Sequence, residues 1–205
     1  MKNLILDNSI RYIQKYNSYS NTKVKEIRYG LEAIYLTFSK FIVISIIAFI
    51  LGIFKEMLLF TLIYNVIRMP SFGLHATKSW ICLLSSTILF IAIPYLCLIL
   101  NISIITKSII SIICIIFMLK NSPADTYKRP IVNKKRREKY KFISVLITIF
   151  YSFLSIFLTN SFLSNCFIFS MVLQNFMISP TVYKIFGLPY NNYITFLKTH
   201  PDFAN

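Results

Sequence analysis

Six long apolar runs, separated by short polar or basic stretches, follow one another between residues 36 and 178. Such runs are typical of membrane-spanning helices, because only a helix or a closed barrel satisfies every backbone hydrogen bond within lipid. The second run has only 11 residues, about 16 Å as a helix, so it is either a short crossing or a re-entrant segment. The pattern predicts an all-α, polytopic membrane protein. The runs cover residues 36–54, 57–67, 80–100, 102–119, 142–158 and 162–178.

The first 35 residues have a different pattern, in which apolar and polar side chains alternate at roughly helical spacing. The apolar stripe includes Ile5, Ile10 and Ile13 and resumes after a turn or helix cap at residues 20–22. Basic amphipathic helices that lie on the cytoplasmic leaflet are the natural interpretation. They serve either as a plain membrane anchor or as a surface that holds a substrate.

Composition and charge narrow the class of protein. Apolar residues make up 56% of the 205 residues and charged residues only 14%, against roughly 25% charged residues in ordinary soluble domains. A soluble enzyme or DNA-binding domain is excluded, because one domain of this length has no room to bury so much apolar surface. The net charge of +15 does not indicate nucleic acid as a partner, since no recognised nucleic-acid-binding motif accompanies the basic residues.

The basic residues indicate the membrane topology instead. The loop at residues 120–141 holds nine Lys and Arg residues, and cytoplasmic loops are the ones that collect such residues. If the second run did not cross, this loop would face outward. We therefore predict about six crossings with both termini in the cytoplasm, in a single membrane domain, residues 1–205. Its parts are amphipathic interfacial helices at 1–35, a six-span core at 36–178 and a cytoplasmic tail at 179–205.

One short segment can carry chemistry. His75 and Cys82 lie seven residues apart at the predicted cytoplasmic end of two spans. A thiolate attacks carbonyl carbons, and an imidazole can take the thiol proton and return it to a leaving amine. On one straight helix the two residues would be about 10.5 Å apart along the axis, beyond hydrogen-bond reach. The chain must therefore fold back between them, or His75 must lie on non-helical backbone, which Pro70 and Gly73 make available.

A structural role is the alternative for both residues. A cysteine at the entrance of a span often serves only in packing, and a histidine there can cap a helix or contact a phosphate headgroup. The other cysteines, Cys97, Cys114 and Cys166, lie inside apolar runs, and the chain has only two histidines. So sparse a set of ligands predicts no zinc site or other metal, and no cofactor.

The run from Arg68 through Gly73 and His75 to Cys82 resembles the accessory gene regulator B (AgrB) family, the membrane cysteine endopeptidases of Gram-positive quorum sensing. The family pattern is an Arg, a Gly-Gly pair, one residue, His-Ala, and a Cys seven residues after the His. Phe72 stands where the first Gly of the pair is expected, so the conformation of the local turn can differ from that of the family.

A second element strengthens the resemblance. Residues 122–125 read Ser-Pro-Ala-Asp and are followed by a basic run at 133–137, similar to the family's Pro-Ala-Asp element and the basic stretch after it. The likeness extends over the whole chain, including the amphipathic N-terminus and the six apolar runs.

The resemblance implies a specific reaction. Family members trim the C-terminal tail of a small AgrD-like propeptide and hold the remainder as a thioester, which an internal Cys or Ser of the propeptide attacks to give a cyclic thiolactone or lactone. Cys82 would be the nucleophile, His75 the general base and acid, and Arg68 and Gly73 match positions needed for activity. Arg68 would hold a carboxylate, a carbonyl oxygen or a lipid headgroup.

The implied substrate has an amphipathic leader and an acidic tail. The predicted inward-facing cations would attract that tail, among them the basic run Lys134, Lys135, Arg136 and Arg137. Topology signalling and anionic-lipid binding explain the same residues equally well. The resemblance also implies a homodimer in the plasma membrane of a Gram-positive bacterium, with the active site on the cytoplasmic side.

Several points stay open from the sequence. Asn65, Asp125 and Ser85 are candidates to orient His75, although a helix N-cap or turn is the favoured role of Asp125. Backbone amides at residues 78–81 are candidate oxyanion donors. The rival functions are a non-enzymatic small transporter or assembly factor, and a peptidase that hydrolyses the thioester without cyclisation.

Overall fold

The computed structural model of the chain describes residues 2–17, 19–74, 79–126 and 130–199. It is 82% helical and has no strands in these ranges, which confirms the all-α class. The helices are α1 (Lys2–Tyr16), α2 (Asn21–Ile50), α3 (Phe54–Ser71), α4 (Ser79–Ile99), α5 (Ile104–Asn121), α6 (Lys134–Phe157), α7 (Ser161–Met177), α8 (Pro180–Ile185) and α9 (Asn192–Thr199).

Four helices begin at side-chain caps that the sequence supplies. Ser20, Ser103, Asn133 and Asn160 precede α2, α5, α6 and α7, and each side-chain oxygen accepts the backbone N–H three residues further on. Such caps satisfy donors that a helix start leaves unpaired. The predicted cap at residues 20–22 is therefore confirmed.

Two helices differ from the sequence pattern. α2 runs without a break over 30 residues, so residues 21–35 form one helix with the first apolar run and not a separate interfacial helix. α3 has 18 residues, about 27 Å, where the apolar run has only 11 residues. Pro70 does not shorten α3 because it lies in the last turn, where little helix remains to be disrupted.

In the described part of the chain, four helices are long and apolar enough to cross a membrane: α2, residues 80–99 of α4, α5 and α6, with α7 a shorter apolar helix. Large apolar side chains such as Phe41, Ile46 and Phe49 of α2 are exposed on the outer surface. A surface of this kind suits contact with lipid and not with water. These helices are those of a membrane protein.

α7 lies at the centre of the bundle and packs against α3, α4, α5 and α6. Its buried residues join Phe60 and Tyr64 of α3 and Met118 of α5 in the main core cluster. Because α7 is surrounded by protein, it can hold the buried polar side chains of Asn165 and Gln174 without exposing them to lipid.

The bundle has two different ends. At one end, the short connections at 51–53, 100–103 and 158–160 join successive helices, and Asn165 donates to the carbonyls of Cys97 and Leu100 at 3.1 and 2.7 Å. At the other end, the non-helical segments that follow α3, α5 and α7 meet one another. Arg68, Gly73 and Cys82 lie at this second end.

Candidate active site

Cys82 lies in the first turn of α4 and is a half-buried free thiol, whereas the other three cysteines are buried. Its sulfur faces α2, because the Lys40 Nζ donates a hydrogen bond to the Cys82 Sγ at 3.3 Å. From the sequence alone Lys40 had no role beyond extending its ammonium toward the membrane surface. The available signal was a lone cation inside the first apolar run.

His75 and Lys78 lie outside the described residues, so no distance between His75 and Cys82 is available to test the spacing argument. The backbone that leads to His75 is described. α3 ends at Ser71, and Phe72 and Gly73 have positive φ values of 58° and 117°. The chain thus leaves helical geometry before it reaches residue 75.

Arg68 holds the chain directly before His75. Its guanidinium donates to the Tyr64 hydroxyl and to the Leu74 carbonyl oxygen, each at 3.1 Å. The sequence left three possible partners for Arg68: a carboxylate, a carbonyl oxygen or a lipid headgroup. The structure shows a carbonyl oxygen, and it belongs to the same chain. Arg68 therefore fixes the position of residue 74 relative to α3.

Two other parts of the chain hold the same segment. We call residues 71–74, together with the contacts that hold them, the 71–74 clamp. The Gln174 side-chain amide donates to the Phe72 carbonyl at 2.8 Å, and the Leu74 N–H donates to the Met177 carbonyl at 3.0 Å. Ala124 also pairs with Phe72 in an isolated parallel β-bridge. The Gly73 N–H donates to the Ala124 carbonyl at 2.9 Å, and the Ala124 N–H to the Ser71 carbonyl at 3.0 Å.

Gly73 is the one position in the clamp where the structure requires glycine. Its φ of 117° is rarely adopted by L side chains, and a Cβ there would lie 2.8 Å from the Met177 carbonyl oxygen. Phe72, at the position where the resemblance predicts glycine, also has a positive φ, which is uncommon for a bulky residue. The Phe72 ring packs edge-to-face against Tyr140 at 5.1 Å between centroids.

Asp125 links this segment to the C-terminal tail. Its buried carboxylate accepts the backbone N–H groups of Ile131, Asn192 and Tyr193 at 3.3, 2.9 and 2.8 Å. Two of these donors open α9, so Asp125 acts as a cap for that helix, consistent with the favoured structural role. Asn65 and Ser85 are exposed, and nothing described selects a group that orients His75.

Two tyrosines complete this end of the bundle. The Tyr183 hydroxyl donates to the Asp125 carbonyl at 3.1 Å, and the Tyr190 hydroxyl to the Asn121 carbonyl at 3.3 Å. Burial, followed by the charge of Asp125, raises the pKa of Tyr190 to about 12 and the pKa of Tyr183 further. Both hydroxyls therefore remain protonated donors at physiological pH.

The basic run divides into two parts. Lys134, Lys135 and Arg136 are exposed in the first turn of α6, where the helix dipole disfavours cations. Arg137 is half-buried; its guanidinium carbon lies 3.6 Å from the centroid of the Tyr193 ring. Lys134 and Lys135 are thus exposed to attract an anion, the Arg136 guanidinium donates to the Tyr140 hydroxyl at 3.1 and 3.0 Å, and Arg137 fixes the tail. Within the described ranges, no three His, Cys, Asp or Glu residues are grouped to hold a metal ion.

We expect Asp125→Ala to lower the free energy of unfolding by about 2–3 kcal/mol, because three backbone N–H groups lose a charged acceptor. Thermal unfolding in detergent, together with proteolysis of the tail, measures the effect. Asp7→Ala is the matched control, since Asp7 forms only an exposed pair with Arg28 at 3.0 Å, worth about 0–1 kcal/mol. Equal melting temperatures for the two variants would contradict the role given to Asp125.

The sequence is similar to known proteins over most of its length. The model of the family "Accessory gene regulator B" matches residues 6–178. A putative AgrB-like protein of Clostridium acetobutylicum is 26% identical over 91% of this chain and 90% of its own length. The accessory gene regulator protein B of Staphylococcus aureus strain Newman is 33% identical over 71% of this chain and 77% of its own length. No solved structure matches the chain.

Proposed function

Because the chain belongs to the accessory gene regulator B family, we propose that it is a membrane cysteine endopeptidase of quorum sensing. It removes the C-terminal tail of an AgrD-like propeptide and promotes cyclisation of the remainder. The observation that carries the proposal is the 71–74 clamp, because it fixes the backbone directly before His75 at the same end of the bundle as Cys82 in the first turn of α4.

The reaction follows from the chemistry of a thiol and an imidazole. His75 takes the proton of Cys82, and the sulfur attacks the carbonyl carbon of the scissile peptide bond. The protonated imidazole then gives this proton to the leaving amine of the tail, and a thioester forms on Cys82. An internal thiol or hydroxyl of the precursor attacks the thioester, which releases the thiolactone or lactone and restores the Cys82 thiol.

In such a mechanism the clamp keeps the general base, His75, in position. A general base must lie within about 3 Å of the proton that it takes, and small displacements cost rate steeply. Arg68 and the Met177 carbonyl hold Leu74, and the Gln174 amide holds the Phe72 carbonyl. These contacts support Arg68 and Gly73 as residues that position the base, with no direct contact to substrate required.

For the topology we keep six crossings with both termini in the cytoplasm, in the plasma membrane of a Gram-positive bacterium. The three short connections at one end, 51–53, 100–103 and 158–160, contain no charged residue. The basic loop, the clamp and Cys82 all lie at the other end. The bias toward cytoplasmic basic residues supports placing that end inside. α3 is then a membrane crossing of its own, and the tight turn at Gly52 connects it to α2.

The exposed cations at the start of α6 support an acidic substrate tail. Lys134 and Lys135 lie exposed in the first turn of α6, which holds no acidic residue, so an external anion would relieve their unfavourable position at the helix N-terminus. Anionic lipid headgroups would bind the same cations. Attraction of an acidic tail should weaken as the salt concentration rises. A homodimer is proposed from the family resemblance.

The test is co-expression of the full chain with the precursor encoded beside it, with intact mass as the readout. We expect loss of the C-terminal tail and a product lighter by one water than the linear fragment. If only the linear fragment is found, the protein hydrolyses the thioester and does not promote cyclisation. A precursor that stays whole would contradict the peptidase and favour a transporter or an assembly factor.

A further inference from the structure

We propose that Tyr140 of α6 is a further positioning residue of the active site, whose ring holds Phe72 in the backbone conformation that the 71–74 clamp requires. The effect on catalysis rests on the proposed function, in which the clamp keeps His75 in position. The ring contact itself, 5.1 Å between centroids at an interplanar angle of 72°, belongs to the fold.

The backbone of Phe72 carries the first step. Its φ is 58° and its ψ is −131°, and a positive φ brings the Cβ of an L residue close to neighbouring backbone atoms. Such a conformation costs free energy and persists only where the surrounding structure holds it. Phe72 therefore needs support that a glycine at the same position would not need.

The contacts of Phe72 carry the second step. Its carbonyl accepts the Gln174 side-chain amide at 2.8 Å, and its backbone pairs with that of Ala124. These contacts involve backbone atoms of residue 72, so they are available to any residue there. The Tyr140 ring supports the side chain instead, and edge-to-face pairs are favourable beyond the apolar area that they bury.

The attachment of α6 carries the third step. α6 packs against α3, and the Tyr151 hydroxyl, about three turns beyond Tyr140, donates to the Ile63 carbonyl of α3 at 2.7 Å. The Tyr140 hydroxyl accepts the Arg136 guanidinium at 3.1 and 3.0 Å. Loss of the Tyr140 ring therefore leaves α6 attached to α3 and removes the local support of Phe72.

The first measurement is amide hydrogen exchange of residues 72–74 in the full chain in detergent, read by peptide mass. The Gly73 and Leu74 amides donate to carbonyls within the clamp, so their exchange rate reports how often the clamp opens. We expect Tyr140→Ala to raise this rate about threefold to tenfold. Tyr140→Phe keeps the ring and should stay within about twofold of the wild-type rate.

Two further variants separate this contact from general packing. Phe153→Ala removes a ring that pairs with Phe157 on α6, at 4.4 Å between centroids, and should leave exchange at 72–74 unchanged. Glycine adopts positive φ without side-chain support, so Tyr140→Ala should change the exchange rate less than about twofold in a Phe72→Gly background. Wild-type exchange in Tyr140→Ala, equal acceleration in Tyr140→Phe or Phe153→Ala, or a full effect in the Phe72→Gly background would overturn the proposal.

Precursor cleavage supplies the catalytic readout. Tyr140→Ala should lower kcat about threefold to tenfold and leave KM within about twofold, because the ring acts on the position of the base and not on bound substrate. Tyr140→Phe should restore kcat to within about twofold of wild type. An unchanged kcat in Tyr140→Ala, or a loss that lies in KM alone, would contradict the positioning role.

Hydrogen exchange does not involve the precursor, so the two proposals fail separately. If the wild-type chain leaves the precursor whole, the peptidase proposal fails while exchange still tests the support of Phe72 by Tyr140. If the wild-type chain cleaves the precursor and Tyr140→Ala exchanges and cleaves at wild-type rates, only the inference about Tyr140 fails.

Discussion

Replacement of Cys82 by alanine is expected to abolish removal of the precursor tail, with a rate at least about 10³-fold below wild type. Loss of a nucleophile removes the covalent route entirely, and knockouts of this kind cost several orders of magnitude in kcat. Cys82→Ser keeps a similar shape but replaces the thiol by a hydroxyl, which forms an anion far less readily. It should also be inactive. Intact mass of the co-expressed precursor measures both variants.

The matched control is Cys114→Ala. Cys114 is a buried free cysteine on α5, within the core cluster and away from the clamp. Its loss tests whether removal of any thiol impairs the protein through packing. We expect cleavage to continue in this variant. Wild-type cleavage by Cys82→Ala would make Cys82 a packing residue and remove the mechanism proposed above.

Gly73→Ala is expected to reduce cleavage about 100-fold. The new Cβ would lie 2.8 Å from the Met177 carbonyl oxygen at a φ of 117°, so residues 72–74 must move. Displacements of about 1 Å near a catalytic group cost factors of this size. The substitution disturbs the clamp and leaves the Cys82 thiol in place. The rate of tail removal should therefore fall while iodoacetamide still labels Cys82.

Two glycines serve as controls for this variant. Gly187 also has positive φ, 62°, but a Cβ there would meet open space, and Gly30 in α2 has neither constraint. Gly187→Ala isolates backbone strain from the steric clash, and Gly30→Ala should be neutral or slightly stabilising. If Gly73→Ala cleaves within threefold of wild type, the clamp does not position the base.

The local features of this fold could be predicted from the sequence. Apolar runs predicted the helices, and Ser20 marked the start of α2. These features depend on residues that are neighbours along the chain. Periodicity did not show that α2 continues through residues 21–35, because an amphipathic stretch and an apolar run can share one helix.

The contacts that organise the site could not be predicted in this way. Lys40 and Cys82 are 42 residues apart, and Gln174 and Phe72 are 102 residues apart. Such pairs depend on how the helices pack, and a single sequence gives no information on that packing. A polar residue within an apolar run was the available signal for both Lys40 and Gln174. It indicates that a partner exists without naming it.

The central claim is that Cys82 carries the trimmed precursor as a thioester. The most direct measurement is the intact mass of the purified protein after incubation with a precursor whose internal Cys or Ser nucleophile is replaced by alanine. We expect an adduct heavier by the trimmed peptide that hydroxylamine removes and that Cys82→Ala lacks. Tail removal with no adduct, or an adduct that persists in Cys82→Ala, would contradict the account.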